Sequence, residues 1–565
     1  MPATSDFVPQ NLDATKWDNL QPLYASLLAR ELKCPNCLET LLLDRSELDS
    51  AASEARANLY INMTCHTNDD AIKKAYLDFI ENVEPHLKKV GFELDRKIVN
   101  SPHAAKLDTD TYGVLLRDLK ADVEIFRDEN VALMTEDTKL DQKYGEVCGE
   151  MTVDFQGEER TLPQMAKFFE ANDRDVREAA WRGVWDRRAQ DRDTMDDILD
   201  TQIALRHKIA VNAGFDNYRD YQFTAMHRFD YTPEHCEAFH KAAAEVCVPV
   251  LRSLHAERAE ALGVDTLRPW DLLVDIHGRE PLRPFEGGDD LVSKSSRLFH
   301  RMDPSLGEMF DSMRGGDCLD LESRKGKAPG GYQYQRDRSR TPFIFMNAAG
   351  LQRDLETMVH EAGHAFHSLL SRDLPLLHYR HSPIEFAEVA SMSMELTSHP
   401  FLDEFYSQED AQRARRRHLE AMAQILPWIA TIDAFQHWMY LHPDHSRDER
   451  TAYWNTLLER FGGGEDWTGL ERFRDMAWQR QGHLFGVPFY YIEYGIAQLG
   501  ALQLWLQYRN DPGSAIQNYK NALALGGSRP LPELFAAAEL KFDFGPAIMS
   551  RLMNEVKGEL ATLPL

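Results

Sequence analysis

The sequence predicts a mainly α-helical protein in which strands are few and short. Apolar residues recur at helical spacing through most of the 565 residues, for example over 58–90 and 173–213. Alanine, leucine, arginine and glutamate, which favour helices, are frequent in these stretches. Neither an internal repeat nor a low-complexity linker divides the chain. We therefore expect one large helical body in place of several independent domains.

Two segments predict β structure. Residues 151–155 and 160–162 flank a short turn that contains a glycine, and this arrangement predicts a hairpin. The second segment is the apolar run 342–346, which Asn-Ala-Ala-Gly follows. We interpret this run as a strand that stands directly before the segment with the candidate catalytic residues.

The composition excludes several classes of protein. With 43% hydrophobic and 27% charged residues, the chain is typical of folded globular proteins. Lys and Arg number 64 against 91 Asp and Glu, a net charge of −27, whereas binding to a phosphate backbone needs clustered cations. No apolar run approaches the roughly 18 residues that cross a membrane, and the first residues lack the features of a secretory signal. We expect a cytoplasmic protein with no nucleic-acid or membrane partner.

The cysteines predict a reducing compartment. There are seven of them, an odd number without regular spacing, as is typical of intracellular proteins. Cys34 and Cys37 have the spacing of half a zinc knuckle or of a redox pair. Because no second C-x-x-C pair and no spaced histidine pair follows, we expect two unpaired thiols.

The pattern His-Glu-x-x-His occurs once, at His360, Glu361 and His364. On a helix the two imidazoles stand one turn apart and converge on a point that suits a tetrahedral zinc ion. Glu361 is rotated by about 100° from His360 and can reach an attacking water without ligating the metal. Eight apolar residues between 351 and 370 form the opposite face of this helix. Surface histidines without a metal are the alternative interpretation.

A catalytic zinc site needs a third protein ligand. His367 is the nearest candidate, but at 1.5 Å rise per residue it would lie about 10 Å along the helix from His360, too far to share one ion. Glu388 and Glu395, seven residues apart, share a face of a second predicted helix. One of them can bind the metal while the other accepts a hydrogen bond from a ligand imidazole. For either glutamate alone, a solvated helix face is the alternative.

These residues resemble the M3 family of zinc metallopeptidases, and most closely its oligoendopeptidase F branch. His360-Glu-Ala-Gly-His364 is followed 24 residues later by Glu388, within Phe-Ala-Glu-Val-Ala-Ser-Met-Ser-Met-Glu. The further blocks that agree with the family are Leu-Arg-Pro-Trp-Asp (267–271), Arg-Lys-Gly-Lys-Ala-Pro-Gly-Gly-Tyr (324–332), Pro-Phe-Ile-Phe-Met-Asn (342–347), Gln-Gly-His (481–483) and Pro-Phe-Tyr-Tyr-Ile-Glu-Tyr (488–494).

The resemblance implies roles for the residues of the two helices. His360, His364 and Glu388 would bind one zinc ion per chain. Glu361 would be the general base, and Glu395 would be a carboxylate that supports a ligand from behind.

The resemblance also implies a fold and an activity. The fold is a large helical metallopeptidase body in two halves around a deep substrate channel, with a small β element near the active site. Because the resemblance begins near residue 151, we predict an N-terminal helical region over 1–150 and a catalytic region over 151–565. The implied activity is hydrolysis of internal bonds in short unfolded peptides, which are the expected partners.

A tyrosine-rich block near the C-terminus offers donors for the negative charge that develops during hydrolysis. Tyr491 and Tyr494 are three residues apart and Tyr490 and Tyr494 four, so the phenols share a helical face. By the resemblance, a tyrosine of this block and His483 contact the transition state or the substrate. We predict that Tyr494 and Tyr491 stabilise the charge with help from His483, and that Tyr490 binds substrate. Packing within an aromatic-rich helix is the alternative, and Glu493 stands where the family has glutamine.

Two further segments are candidates for holding the substrate backbone. Gly330 and Gly331, with Tyr332, can bring main-chain groups close to a ligand. The run 342–346, which includes Phe345, is expected to be an edge strand that pairs with an extended peptide, as a strand does in the family. A turn followed by a buried strand is the alternative.

Two other functions stay open. A dipeptidyl carboxypeptidase or carboxypeptidase with the same zinc pattern would need a Lys or Arg near the metal to bind the substrate carboxylate, and the sequence places none there. An inactive peptide-binding relative is disfavoured, because the three predicted ligands and Glu361 are all present.

Overall fold

The computed structural model describes residues 7–564, and within that range the prediction of a mainly helical protein is confirmed. The described chain contains 25 α-helices and five strands. It divides into two compact units, each built from three segments. The first unit contains the described residues up to Glu124 together with Leu282–Ala411 and Gly500–Phe542, and the second contains Ile125–Pro281, Gln412–Leu499 and the residues from Asp543 onward. The predicted boundary near residue 150 and the predicted channel stay predictions.

In chain order, the first thirteen helices are α1 (Trp17–Ala29), α2 (Pro35–Cys65), α3 (Asp70–Asn82), α4 (Glu84–Val99), α5 (Thr109–Ile125), α6 (Asp128–Gly149), α7 (Leu162–Met165), α8 (Arg174–Gln190), α9 (Arg192–Asn212), α10 (Tyr218–Ala225), α11 (Pro233–Ala242), α12 (Val248–Leu262) and α13 (Gly287–Met302). The others are α14 (Pro304–Arg314), α15 (Gln352–Ser371), α16 (Leu377–Arg380), α17 (Ile384–Thr397), α18 (Gln408–Leu441), α19 (Arg447–Phe461), α20 (Glu471–Arg474), α21 (His483–Gly486), α22 (Tyr491–Asn510), α23 (Pro512–Leu523), α24 (Leu531–Ala537) and α25 (Pro546–Leu560). The strands are β1 (Thr152–Phe155), β2 (Glu158–Thr161), β3 (Leu319–Glu322), β4 (Tyr332–Arg336) and β5 (Thr341–Ala348). In the described range, no helix combines the length and the apolar composition needed to cross a membrane.

The predicted hairpin is confirmed. Strand β1 pairs antiparallel with β2, and only Gln156 and Gly157 connect them. Both connecting residues have positive φ, 53° for Gln156 and 79° for Gly157. This is the requirement of a tight two-residue turn whose twist matches that of the flanking strands.

The prediction that residues 342–346 form an edge strand was wrong. In the sheet of the first unit the strand order is β3-β5-β4, so β5 is central and β4 lies at an edge. All five residues of Pro342–Met346 are buried, and such a continuous apolar run is typical of a strand that is covered on both faces. Pro342 is tolerated because it lies before the register with β3, which begins at Ile344.

The prediction of two unpaired thiols at Cys34 and Cys37 was also wrong. The two residues form a disulfide with their Cα atoms 5.1 Å apart. Cys34 is the N-cap of α2 and Pro35 its first residue, so Cys37 falls in the first helical turn. Residues three apart in that turn lie on one side of the helix, within the distance that a disulfide spans.

Helices α15 and α17 of the first unit pack unusually close together at Gly363. A Cβ atom on Gly363 would lie 2.6 Å from the carbonyl oxygen of Ala390 and 2.6 Å from the Cα of Ser391. Both are backbone atoms, which cannot move aside as a flexible side chain can. Glycine at position 363 therefore sets the separation of the two helices.

We expect Gly363→Ala to lower the free energy of unfolding by about 3 kcal/mol, because the added methyl forces α15 and α17 apart. Denaturant-induced unfolding monitored by circular dichroism measures this change. Gly91→Ala is the matched control, since Gly91 lies within α4 of the same unit and its Cβ would meet nothing closer than 3.9 Å. That control should raise stability by up to about 1 kcal/mol, as alanine does in a helix interior. Equal effects of the two substitutions would show that the close approach at Gly363 does not matter.

Candidate metal centre

Three donor atoms converge between α15 and α17. The Nε2 atoms of His360 and His364 lie 3.4 Å and 3.8 Å from Oε2 of Glu388, and the three ligand atoms all lie within 4.8 Å of one another. Ligands about 2.1 Å from a tetrahedral ion are separated from each other by about 3.4 Å. The arrangement therefore fits a divalent metal ion held by two imidazoles and one carboxylate.

The local sequence explains this convergence. His360 and His364 are four residues apart on α15 and point to the same side, and their rings are 4.9 Å apart between centroids. Glu388 lies on α17, whose backbone passes within contact distance of Gly363, between the two histidines. A hydroxyl hydrogen of Ser391 is donated to Oε2 of Glu388 over 2.8 Å, which fixes the orientation of the carboxylate.

Glu395 lies on the opposite side of His360 from the donor group. Its Oε1 is 2.6 Å from Nδ1 of His360. Burial alone would lower the pKa of His360, but the hydrogen bond and charge of Glu395 raise it to about 9. A carboxylate in this position holds the proton on Nδ1 and directs the lone pair of Nε2 toward the donor group. Of the two glutamates left open by the spacing, Glu388 therefore belongs to the donor group, and Glu395 contacts the opposite ring nitrogen of His360.

Glu361 is buried beside this group. Its side chain is 7% exposed, and burial raises its pKa to about 7 although the charge of His360 opposes the shift. The backbone of Gln333 in β4 hydrogen-bonds to the carboxyl group. A carboxyl group with a pKa near neutrality can both accept and return a proton.

His367 does not belong to the donor group, as the helical rise predicts. It is buried, and its ring meets that of Phe386 edge to face at 6.1 Å between centroids. Burial lowers the pKa of His367 to about 4, so the imidazole is neutral at physiological pH.

The predicted substrate-binding residues of the first unit differ in how exposed they are. Gly330 and Gly331 are exposed at the start of β4, and Gly330 has a φ of 100°, which favours glycine. Tyr332 stacks on Phe345 at 4.8 Å between ring centroids, and its hydroxyl lies 2.6 Å from that of Thr64. Phe345 was predicted to bind substrate as part of an edge strand, and this was wrong, because Phe345 lies on the central strand β5 and is 0% exposed.

The predicted tyrosine cluster forms within the second unit. The ring of His483 lies 4.9 Å from that of Tyr491, 6.0 Å from that of Tyr494 and 6.1 Å from that of Tyr490, between centroids. Burial raises the pKa of Tyr491, which stays a hydrogen-bond donor at neutral pH. The amide of Gln481 lies 2.6 Å from Nδ1 of His483 and restrains the imidazole.

The buried ion pair of Arg228 and Glu493, next to the tyrosine cluster, was not predicted from the sequence. Phe489 has a φ of 69°, which is unusual for a residue with a side chain, and it immediately precedes the tyrosines. Its N–H donates to Oε1 of Gln436, and its carbonyl oxygen accepts from the guanidinium of Arg228. Arg228 also donates to Glu493 over 2.7 Å, and the two side chains are 1% and 4% exposed. The only signal in the sequence is a glutamate at position 493 within an otherwise apolar stretch.

Comparisons with known proteins agree with the resemblance seen in the sequence. The model of Peptidase family M3 matches residues 168–553, more than half of the chain, and the model of the Peptidase M3 N-terminal domain matches residues 7–126. The solved structure of PZ peptidase A with inhibitor 2 is 28% identical, covers 99% of both chains and superposes with a TM-score of 0.90.

Curated relatives match over a smaller part of their length. The oligoendopeptidase F homolog of Borreliella burgdorferi is 26% identical over 307 residues, which are 51% of this chain and 49% of the relative. The group B oligopeptidase PepB of Streptococcus agalactiae serotype III is 21% identical over 375 residues, 66% of this chain and 61% of the relative. The chain thus spans about half of the first relative and less than two thirds of the second.

Substitution of Arg228 by methionine should lower the stability of the protein by about 3–5 kcal/mol, because Glu493 would then be buried without its cation. Thermal and denaturant unfolding measure the loss. In the double variant Arg228→Met with Glu493→Leu, neither charge remains, and we expect more than half of the lost stability to return. A double variant as unstable as the single one would contradict the importance of the ion pair.

Proposed function

The chain belongs to peptidase family M3, and from this premise we propose that it is a zinc-dependent endopeptidase that hydrolyses internal bonds of short oligopeptides. The observation that supports this most strongly is the convergence of His360, His364 and Glu388 beside the buried Glu361. Two imidazoles and one carboxylate are a donor set of catalytic zinc sites, which keep a further position for water or substrate. The names of the relatives, oligoendopeptidase F and oligopeptidase, support short peptides as substrates.

In the proposed reaction the metal would act as a Lewis acid, and side chains of the protein would transfer the protons. When bound by His360, His364 and Glu388, zinc supplies a Lewis acid that polarises the scissile carbonyl and acidifies water. Glu361 accepts a proton from the attacking water and returns it to the leaving amine nitrogen. Its pKa of about 7 suits both halves of this transfer near neutral pH. Glu395 keeps the proton of His360 on Nδ1 throughout.

The tyrosine cluster has a proposed role in stabilising charge. Tyr494 and Tyr491 would donate their hydroxyl hydrogens to the oxygen that becomes negative as the carbonyl is attacked, with His483 assisting and Tyr490 binding substrate. This assignment rests on the resemblance to the family. It requires neutral phenols, and the raised pKa of Tyr491 agrees with that requirement.

For the substrate backbone, β4 replaces β5 as the proposed docking strand. Strand β4 is at the edge of its sheet in the described part of the chain, and its backbone at Gln333 reaches Glu361. An extended peptide laid along such an edge gains main-chain hydrogen bonds independent of its side chains. Gly330 and Gly331, which immediately precede β4, would let the peptide approach the backbone closely.

Glu361→Gln should lower kcat by at least about 100-fold, because the amide cannot accept the proton of the attacking water. The zinc content should stay unchanged, since the side chain is not a ligand. Cleavage of an internally quenched fluorescent oligopeptide and metal analysis by mass spectrometry measure the two quantities. Glu356→Gln is the matched control, because Glu356 lies on the same helix and hydrogen-bonds to Gln352.

The same assay separates the alternatives. An endopeptidase cuts a peptide whose C-terminus is amidated, whereas an enzyme that binds the terminal carboxylate leaves it intact. Undiminished cleavage by the Glu361→Gln variant would refute the proposed base. Activity that survives complete removal of the metal by a chelator would refute the zinc assignment, and an inactive relative would cut no peptide at all.

The proton on His360 gives a test of the support from Glu395. With a pKa of about 9 in the metal-free protein, His360 is cationic at pH 7 and carries a proton on each ring nitrogen, and zinc binding must displace the proton on Nε2. The variant Glu395→Gln lacks the charge that raises this pKa, so its zinc binding should release about one proton fewer. Calorimetric titration in two buffers of different ionisation enthalpy counts the protons.

Above pH 9, where the proton no longer competes, the wild-type protein should bind zinc about 10–100-fold more tightly than the Glu395→Gln variant. Proton release that is equal in both proteins would contradict the role of Glu395. Glu356→Gln again serves as the control and should behave as the wild type.

A further inference from the structure

We propose that the second unit binds a second metal ion, through Cys236, Asp433 and His437. One potential ligand atom from each of these residues lies within 4.8 Å of the other two. All three residues are buried, with 0%, 0% and 6% of their surfaces exposed. None of them belongs to the centre between α15 and α17.

The cluster is built from two pairs of residues at helical spacing. Cys236 and His240 are four residues apart on α11, and Asp433 and His437 are four residues apart on α18. Each pair therefore stands on one face of its helix, and the two faces meet. This is how facing helices build a metal site in a protein core.

The hydrogen bonds within the cluster leave several polar atoms unused. Oδ1 of Asp433 and Nδ1 of His437 are buried and have no hydrogen-bond partner among the described residues. Apolar aromatic side chains surround His437. The ring centroid of Phe223 lies 6.1 Å and that of Phe489 lies 5.4 Å from the centroid of the His437 imidazole. A polar group buried without a partner is costly, and a partly satisfied network more so. A metal ion would engage two of the buried atoms that lack a hydrogen-bond partner, Oδ1 of Asp433 and Nε2 of His437.

The distances from Oδ2 of Asp433 to the two nearby histidines show which histidine can share a metal ion with it and which one only hydrogen-bonds to it. Nε2 of His437 lies 3.3 Å from Oδ2 of Asp433, close to the separation of about 3.3 Å between two ligands of one tetrahedral zinc ion. Nε2 of His240 is only 2.7 Å from the same oxygen, which is a hydrogen bond. His240 thus orients the carboxylate, as Glu395 orients His360 in the first centre. Oδ1 of Asp433 is available as a fourth donor.

The donor chemistry selects the class of metal. A thiolate, an imidazole and a carboxylate favour zinc over magnesium or calcium, which prefer oxygen ligands. A thiolate and a carboxylate together also balance the charge of a divalent cation, so the bound site buries no net charge. Because the ligands are almost completely buried, we assign the ion a structural role that joins α11 to α18.

The position of the site connects it to the tyrosine cluster. The ring of His437 meets that of Phe489 edge to face, and the neighbouring Gln436 accepts the N–H of Phe489. Fixing this turn of α18 therefore also fixes the residue that leads into the tyrosines. The consequence for activity rests on the proposed function, whereas the metal site itself does not.

Cobalt substitution tests the site without reference to activity. The full-length protein is stripped of metal, reloaded with Co²⁺ and examined by absorption spectroscopy. The centre of His360, His364 and Glu388 contains no sulfur ligand, so a thiolate-to-cobalt charge-transfer band in the near ultraviolet can come only from a cysteine site. We expect this band and two metal equivalents per chain in the wild-type protein.

Variants assign the band to its residues. Cys236→Ser should abolish it and remove one of the two equivalents, and His437→Gln should remove the same equivalent. Cys247→Ser is the matched control, because Cys247 is also a buried free cysteine close by in sequence but lies outside the cluster, and it should leave the band unchanged. His360→Ala should lose the other equivalent and keep the band, so failure of the proposed function and failure of this site are distinguishable.

Absence of the band from the wild-type protein, with a single metal equivalent, would overturn the proposal, and it would do so even if every variant failed to fold. A band that persists in a folded Cys236→Ser protein would overturn it as well. Circular dichroism establishes whether each variant is folded.

Discussion

The first centre depends on the close contact between α15 and α17 across Gly363. Any side chain at this position would collide with the backbone at Ala390 and Ser391, and Glu388 would move away from the two histidines. Helix α17 is also closely packed at Val389, since a Cβ on Gly500 would lie 2.7 Å from a side-chain methyl of that residue. Close packing at these two glycines thus holds α17 in place. This packing determines where the carboxylate of Glu388 lies relative to the two histidines.

The same packing brings like charges together. Glu361, Glu388 and Glu395 lie around His360, and burial raises the pKa of both Glu361 and Glu388. Three carboxyl groups in a region of low dielectric constant repel each other more strongly than they would in water. A divalent cation would offset this repulsion and displace the Nε2 proton of His360. Metal binding and the stability of the first unit are therefore coupled, because the folded apoprotein keeps electrostatic repulsion that the bound ion removes.

Features that depend on a single helix or a single turn could be predicted from the sequence. The histidines of α15 and the hairpin at Gly157 depend on residues at most a few positions apart, so spacing and turn chemistry suffice to predict them. The central position of β5 depends on which strands pair with it, and the burial of Arg228 against Glu493 depends on helices far apart in the chain. Periodicity carries no information about such partners. The Cys34–Cys37 disulfide is an intermediate case, because its spacing is visible in the sequence but its formation depends on where α2 begins.

Exposure distinguishes what the two metal clusters can do. In the first centre the side chains of His360 and His364 are 25% and 19% exposed, so the proposed metal position is open to small molecules. In the proposed second site the side chains of His437 and Asp433 are 7% and 0% exposed, and aromatic rings surround them. Catalysis requires an accessible coordination position, whereas a structural ion is most stable when its ligands enclose it. Similar residue types, two on each of two facing helices, therefore suit the proposed catalytic centre in one unit and the proposed structural site in the other.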